Sequence, residues 1–277
     1  MYLSKYSRNG IAVLRVKPVI FLNPAGIVTT GLNGSAFPVP VRNTKLPGSV
    51  KEPAAVGTVK INNLAAPQLK LRSLYGGLNI LYSNVYGGYL EIENSKSEDG
   101  INFINTNANL ENIKFKEIKS DALDSDFSKL VINKISCVKI GNDCVDLSFS
   151  KGKINHLKAE KISDKVLSLG EESSLNIEKV DVKNSEIGIV AKDSSILNIK
   201  SYSYQNVKVP IAAYVKKREF GPAKISIFNM KPKLNNLDFI SKNSLVFIED
   251  DNISGYKSSK SINELLYGNN YGVKTER

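Results

Sequence analysis

The stretch GNDCVDLSFS, residues 141–150, sets two aspartates three residues apart inside an apolar run. A similar phrase, SDALDSDFS, fills residues 120–128, and SEDGINFINT fills 97–106. Asp99, Asp121 and Asp143 are spaced by 22 residues. Later units follow at about the same interval: SDKVLSLGEESS near Asp164, then NSEIGIVAKDSS, then NVKVPIAAYVKK. A fixed period of this length marks a repeat architecture, in which each unit buries its apolar side against its neighbours.

The segments between these phrases repeat too. Ile113, Ile135 and Leu157 keep the spacing, as do Phe115, Cys137 and Ala159, and Ile118, Ile140 and Ile162. Within units the apolar residues alternate, as in Val145 and Leu147, Leu167 and Leu169, Ile189 and Ala191, Ile211 and Ala213. Period two with β-branched residues indicates strands. Asn, Asp, Ser and Gly punctuate them as turn formers. Hairpin sandwiches show turn signals every ~8–12 residues, and leucine-rich repeats need a recurrent LxxLxL that is absent. The pattern predicts an all-β, right-handed parallel β-helix with coils of about 22 residues, neighbouring coils one strand spacing (about 4.8 Å) apart.

Three regions follow. Residues 1–55 read as irregular first coils, 56–230 as the β-helix, and 231–277 as a last coil and tail. YGGLNILYSNVYGGYLEIENS (75–95) and GTVKINNL (57–64) read as early coils, and SLVFIED (244–250) as a last strand. The tail reads as a frayed end, or as a helix beginning at SINELL that caps the stack.

In this frame Val145, Leu147 and Leu123 point inward, so Asp146, Asp124 and Asp126 point outward. Asp124 stacks on Asp146, with Asn102 ahead of them in the same column, and Asp121 stacks on Asp143. Five carboxylates thus gather on two coils. Counting 22 onward from Asp143 reaches Lys165, which would neutralise one end of its column; a 21-residue register would place Asp164 there instead. Stacked carboxylates relieve repulsion by sharing a proton, by binding a hard cation such as calcium, or by pairing with Lys. Glycoside hydrolysis uses carboxyl pairs at ~5–5.5 Å or ~6.5–9.5 Å. Asp124/Asp146 suits the shorter separation and Asp124/Asp126 the longer. The candidate catalytic residues are therefore Asp124, Asp146 and Asp126, with Asp121, Asp143, Lys165 and Lys192 as substrate-binding candidates. The plainer reading makes Asp121, Asp143 and Asp164 turn caps, Glu171 and Glu172 turn residues, and Lys192, Lys216, Lys217 and Arg218 a solvated edge.

Composition bounds the rest. The formal net charge is +11, yet residues 1–60 carry eight Lys/Arg against one acid, while residues 97–150 carry nine acids against six Lys. The excess of Lys suits anionic partners or simply protects strand edges. Nucleic acid is disfavoured, because interleaved aromatics for stacking bases are missing. The single histidine, His156, excludes a His-rich metal site and falls away from the Asp columns. Cys137 reads as a core residue in preference to a Cys137–Cys144 bridge. No apolar run reaches the ~18–20 residues of a membrane span. GIAVLRVKPVIFL, near the start, does not read as a signal peptide. The chain is then either intracellular or a module lacking its own leader.

The order SEDGINF, SDALDSDFS, GNDCVDLSFS, DKVLSLGE, GIVAKDSS and YVKKREFGPA resembles a bacterial right-handed parallel β-helix family of the pectin-lyase-like superfold, a module also found beside spore-coat-type kinase domains in larger proteins. The resemblance covers about residues 75–228. A looser resemblance is to polygalacturonases, whose NTDG, DD, GHG and RIK motifs lie on successive coils. SDALDS stands where NTDG would, and NDCVDL resembles the DD motif. SDKVLSLGE takes the GHG place without a histidine, and VAKD the RIK place. That matching implies Asp121 or Asp124, and Asp143, as the carboxylates and Lys192 as the substrate-binding cation. The resemblances imply a secreted or cell-surface module that binds or acts on a polysaccharide or cell-envelope glycan. The alternative is a structural or adhesive solenoid whose Asp cluster caps turns or binds calcium.

Overall fold

The computed structural model describes residues 76–234, 236–268 and 271 in full, and the backbone of the strands Ile27–Leu32, Ser35–Pro38 and Thr58–Asn62. Most of the region expected to form irregular first coils lies outside the described residues. The rest is a parallel β-solenoid. Its first face stacks Gly76–Leu81, Asp99–Ile104, Asp121–Asp126, Val145–Ser148 and Lys165–Gly170. Two 19-residue strands, Ser174–Lys192 and Ile196–Tyr214, continue that face with their C-terminal ends. The return side stacks Asn84–Glu93, Asn107–Ile118, Lys129–Ile140 and Lys151–Ile162.

The register is the one the spacing predicts. Val145 pairs with Leu123 and Leu167, Phe115 with Cys137, and Cys137 with Ala159. Every inward alternating residue from Val145 to Ala213 is buried. Like side chains thus form continuous interior ladders, which locks the register, since a one-residue slip would turn each ladder outward.

Two corners recur through left-handed residues. Tyr82, Asn105, Phe127 and Phe149 follow the first face with φ of 48–52°. Asn94, Glu117, Lys139, Lys161, Asn184 and Asn206 end the return strands with φ of 49–60°. Inside the first corner runs a buried hydroxyl ladder. The amides of Thr106, Ser128 and Ser150 donate to the Oγ atoms of Ser128, Ser150 and Ser173 in turn, at 2.9–3.0 Å. Those hydroxyls donate onward to backbone carbonyls. The ladder satisfies corner backbone groups that neither sheet can pair.

The two ends of the stack carry antiparallel strands. Ile27–Leu32 pairs antiparallel with Gly76–Leu81, and Asp251–Ile253 with Leu245–Ile248. These pairings occupy edges that a continuing coil would otherwise use. The SINELL segment is helical, Ser259–Leu266, but it does not cap the stack. It lies on the outer side of the first face, where Ile262 and Leu266 pack with Ile187, Val190, Val209, Ala212, Tyr214 and Phe239. The reason is local: the outward positions of the last coils are apolar and need a cover.

Cys137 and Cys144 form a disulfide, with Cα atoms 6.0 Å apart, contrary to the unbridged reading. Both side chains point inward and are fully buried. The tight turn through Gly141 folds the end of one coil back onto the start of the next. A Cβ on Gly141 would lie 1.9 Å from the Lys119 carbonyl oxygen, so only glycine allows this approach.

Candidate functional site

The first face carries the predicted columns. One runs Asn79, Asn102, Asp124, Asp146, Ser168, Val190, Ala212. A second runs Ile104, Asp126, Ser148, Gly170. A third starts Asp99, Asp121 and continues through Asp143 to Lys165, Ile187 and Val209. From the acids onward, the first and third columns pass through hydroxyl or lysine to apolar residues under the helix, and the second passes through hydroxyl to glycine. All of the predicted carboxylates therefore share one face. Asp99 and Asp164 join them.

Asp121 and Asp143 act as turn caps. Asp121 Oδ1 accepts the Asp143 amide at 2.7 Å and the Asn142 side-chain amide at 2.8 Å. Asp143 Oδ1 accepts the Lys165 amide at 2.9 Å. Each caps the coil that follows, which fixes the 22-residue register. Lys165 is buried and ends the acid column: its Nζ lies 2.5 Å from Asp164 Oδ2 and 3.5 Å from Asp143 Oδ1. Burial alone would lower its pKa, but those two carboxylates raise it above the usual lysine value.

The carboxyls are held against ionisation. Burial, then the charge of Asp121, raises Asp99 to about 8. Burial, then Asp99 and Asp146, raises Asp124 to about 9. Asp121 and Asp126 are raised by burial and by neighbouring acids. Asp143 is raised by burial despite the pull of Lys165. Asn102 Nδ2 donates to Asp99 Oδ2 at 3.4 Å. Four buried acceptors on this side, Asn102 Oδ1, Asn142 Oδ1, Asp146 Oδ1 and Asp164 Oδ1, have no hydrogen-bond partner among the described residues. No three His, Cys, Asp or Glu side chains converge as a metal-ligand set among those residues.

Lys192 is buried, not a solvated cation, and donates to Ser168 Oγ at 2.7 Å. Its aliphatic stem covers Gly170, where a Cβ would sit 2.9 Å from Lys192 Cε. Lys217 stays on the exposed edge and pairs there with Glu171 at 2.6 Å. Glu171 and Glu172 do form a left-handed turn, but Glu171 is buried and accepts from Ser148 Oγ at 2.6 Å. Burial raises the Glu171 pKa, and Lys217 and Ser148 outweigh it to leave it lowered.

Sequence reasoning missed Tyr267, the C-cap of the short helix. Lys165 and Lys216 lie 5.4 and 4.6 Å from its ring centroid. Burial pushes its phenol up, but Lys192, Lys165 and Lys216 together hold it below the ordinary tyrosine value. Its place depends on helix docking, which no repeat encodes. His156 belongs elsewhere: its Nε2 is 2.7 Å from Asp181 Oδ2, beside Ser203 and Lys179.

Cavities lie at the corners on either side of the face. One, of about 590 Å³, is lined by Lys96, Glu117, Lys119, Lys139, Gly141 and Lys161 among others. The other, of about 210 Å³, is lined by Tyr82, Ser83, Asn84, Asn105 and Asn107. Asp124 and Asp146 line neither. Comparison of the chain with protein-family models, with curated proteins and with solved structures finds no match.

Proposed function

We propose that the first face binds a polysaccharide along the solenoid axis and acts on it at Asp124 and Asp146. The observation that carries this reading is the pairing of these two aspartates on adjacent coils, with the Asp124 carboxyl raised to about 9. A carboxyl that keeps its proton at neutral pH is the general acid that glycosidic cleavage requires. Asp124 would protonate the leaving oxygen while Asp146, one strand spacing away, attacks the anomeric carbon as nucleophile, and water deprotonated by Asp124 then releases the sugar from that ester. With His156 on another part of the coil, this chemistry must run on carboxyls, the Lys165–Lys192 end and Tyr267. The acid-rich parallel coil fits a pectin-lyase-like module of the cell envelope. The buried Cys137–Cys144 bridge supports folding in an oxidising, extracytoplasmic compartment.

The test is a glycan-array and polysaccharide-degradation screen comparing wild type with Asp124→Asn plus Asp146→Asn. Loss of turnover with binding kept assigns chemistry to the pair, and loss of both assigns binding as well. Unchanged turnover removes the catalytic role.

A second reading, a structural solenoid that holds calcium on the same face, is favoured by the unpartnered oxygens of Asn102, Asp146 and Asp164. Melting that rises with calcium and falls with chelator would support it.

A further inference from the structure

Tyr82, Asn105, Phe127 and Phe149 hold the same corner position on successive coils. The amides of Tyr82, Asn105 and Phe127 donate to Ile104, Asp126 and Ser148 of the next coil at 2.9–3.0 Å. All four residues have positive φ. Asn takes that conformation readily, and a bulky ring does so at a cost in strain. Tyr82 and Phe127 are nonetheless 54% and 59% exposed, so burial does not offset the strain. Phe127 and Phe149 stack with centroids 4.9 Å apart and planes within 2°. Phe220 sits 6.0 Å beyond Phe149. One face of Phe127 is thus taken, and its other face is directed along the axis toward Asn105.

Asn105 leaves a gap in the aromatic series. Tyr82 and Phe127 are two coils apart, about 9.6 Å between backbones. A saturated ring stacks on an aromatic face at about 3.5–4.0 Å of carbon contact, and the half-exposed Tyr82 ring beside Asn105 offers one such face. The 210 Å³ cavity opens on the Tyr82 side of Asn105, lined by Tyr82 and Asn105 and not by Phe127. It is smaller than the roughly 300–1,000 Å³ of sites for drug-sized ligands. No charged side chain lines it. Asn107 Nδ2 donates to Asn84 Oδ1 at 2.7 Å, which fixes both amides and leaves each with further donor or acceptor capacity.

We infer that the corner at Asn105 is a subsite for one uncharged pyranose unit, stacked on Tyr82 and hydrogen-bonded by the Asn84, Asn105 and Asn107 amides. The axial C–H groups of a sugar suit the electron-rich ring faces, and its hydroxyls suit amides. A uronate or phosphate group would find no cation there. The proposal rests on the glycan reading of the adjoining face and locates a neighbouring unit of the same bound chain.

Two variants test it in opposite directions. Tyr82→Asn removes one ring but keeps a residue that this corner already accommodates. Asn105→Phe fills the gap and continues the Phe127–Phe149 stack. Binding is measured by calorimetry against neutral cello-, manno-, xylo- and N-acetylglucosaminyl hexasaccharides and against an oligouronate, after melting curves show both variants folded. The expected result is wild-type binding to a neutral oligosaccharide, weakened at least tenfold by Tyr82→Asn and abolished by Asn105→Phe. Neutral binding kept within twofold by both variants overturns the subsite and leaves the glycan reading standing. So does binding of the oligouronate alone. No binding to any glycan by wild type removes both.

Discussion

Replacing Asp124 by Asn should make the protein more stable at neutral pH and leave it little changed in acid. The carboxyl pKa is raised from an unfolded value near 4 to about 9, chiefly by burial and then by Asp99 and Asp146. A raised carboxyl favours the folded state fully below the unfolded pKa. That advantage is lost as pH climbs toward the folded value, at about 1.4 kcal/mol per pH unit for each proton retained. Asp99, raised to about 8, acts with the same sign. Two protons kept in full from pH 4 to 8 would remove about 11 kcal/mol, most of the roughly 5–15 kcal/mol available to a domain. The carboxyls therefore share fewer protons than they number, and stability falls as pH rises across this range. The amide introduced by Asp124→Asn would extend the Asn79–Asn102 amide column and remove one titrating member. The stability difference between variant and wild type should then grow by about 2–4 kcal/mol between pH 4.5 and 7.5. Urea denaturation at a series of pH values measures this, with His156 replaced by Gln in both proteins so that the Asp181 pair does not enter. A difference that stays constant with pH, or an Asp124 carboxyl carbon resonance titrating near pH 4, would refute the reasoning.

Other perturbations follow from the same geometry. Lys165→Met leaves Asp143 and Asp164 without their buried cation and should destabilise by about 3–5 kcal/mol at pH 7. The loss should be smaller at pH 4, where those acids take up protons, and urea melts at the two pH values compare them. Opening the Cys137–Cys144 bridge with paired Ala substitutions releases a loop closed over seven residues. The chain-entropy relation gives a loss of about 2–2.5 kcal/mol at 25 °C, read from the urea midpoint. A wild-type protein that shows two free thiols after denaturation without reductant would contradict the bridge itself. Gly141→Ala puts a Cβ against the Lys119 carbonyl. It should cost about 1–3 kcal/mol through a backbone shift, measured by thermal melting, and an unshifted melt would show that the turn yields.

The solenoid is legible because its signal is redundant. Each interior ladder, such as Phe115–Cys137–Ala159, is written once per coil, so a single mismatch cannot hide the period. Register then carries information outward. Once Val145 and Leu123 are placed inside, Asp146 and Asp124 have to share a column, and the structure puts them there. The same redundancy hides the exceptions. Cys137 fits its apolar column so well that its bond to Cys144, across a turn and not along a ladder, is masked. Lys192 reads as a solvated cation from its charge, yet it is buried with its stem over Gly170, its neighbour one coil earlier in the same column.

Tyr267 shows a different limit. The helix that carries it is not part of any coil, and its docking depends on apolar outward positions, Ile187, Val190, Val209 and Ala212, scattered over two units. Alternation marks Val190 and Ala212 as solvent-facing, but puts Ile187 and Val209 on the inward parity of Ile189 and Ile211, so it does not reveal the outer cluster they join. Their apolar character is visible in the sequence and signals a cover, but not which segment supplies it. The cover matters to the site because it ends just where the lysines begin. The first face is therefore a gradient set by stacking: acids that raise one another, then Lys165 and Lys192 that stop the repulsion, then a helix that seals the remainder and presents a phenol to those lysines. A repeat that obliges like residues to stack makes repulsion on an acidic face unavoidable. The changing residues along each column are how this chain limits it while leaving Asp124 and Asp146 side by side.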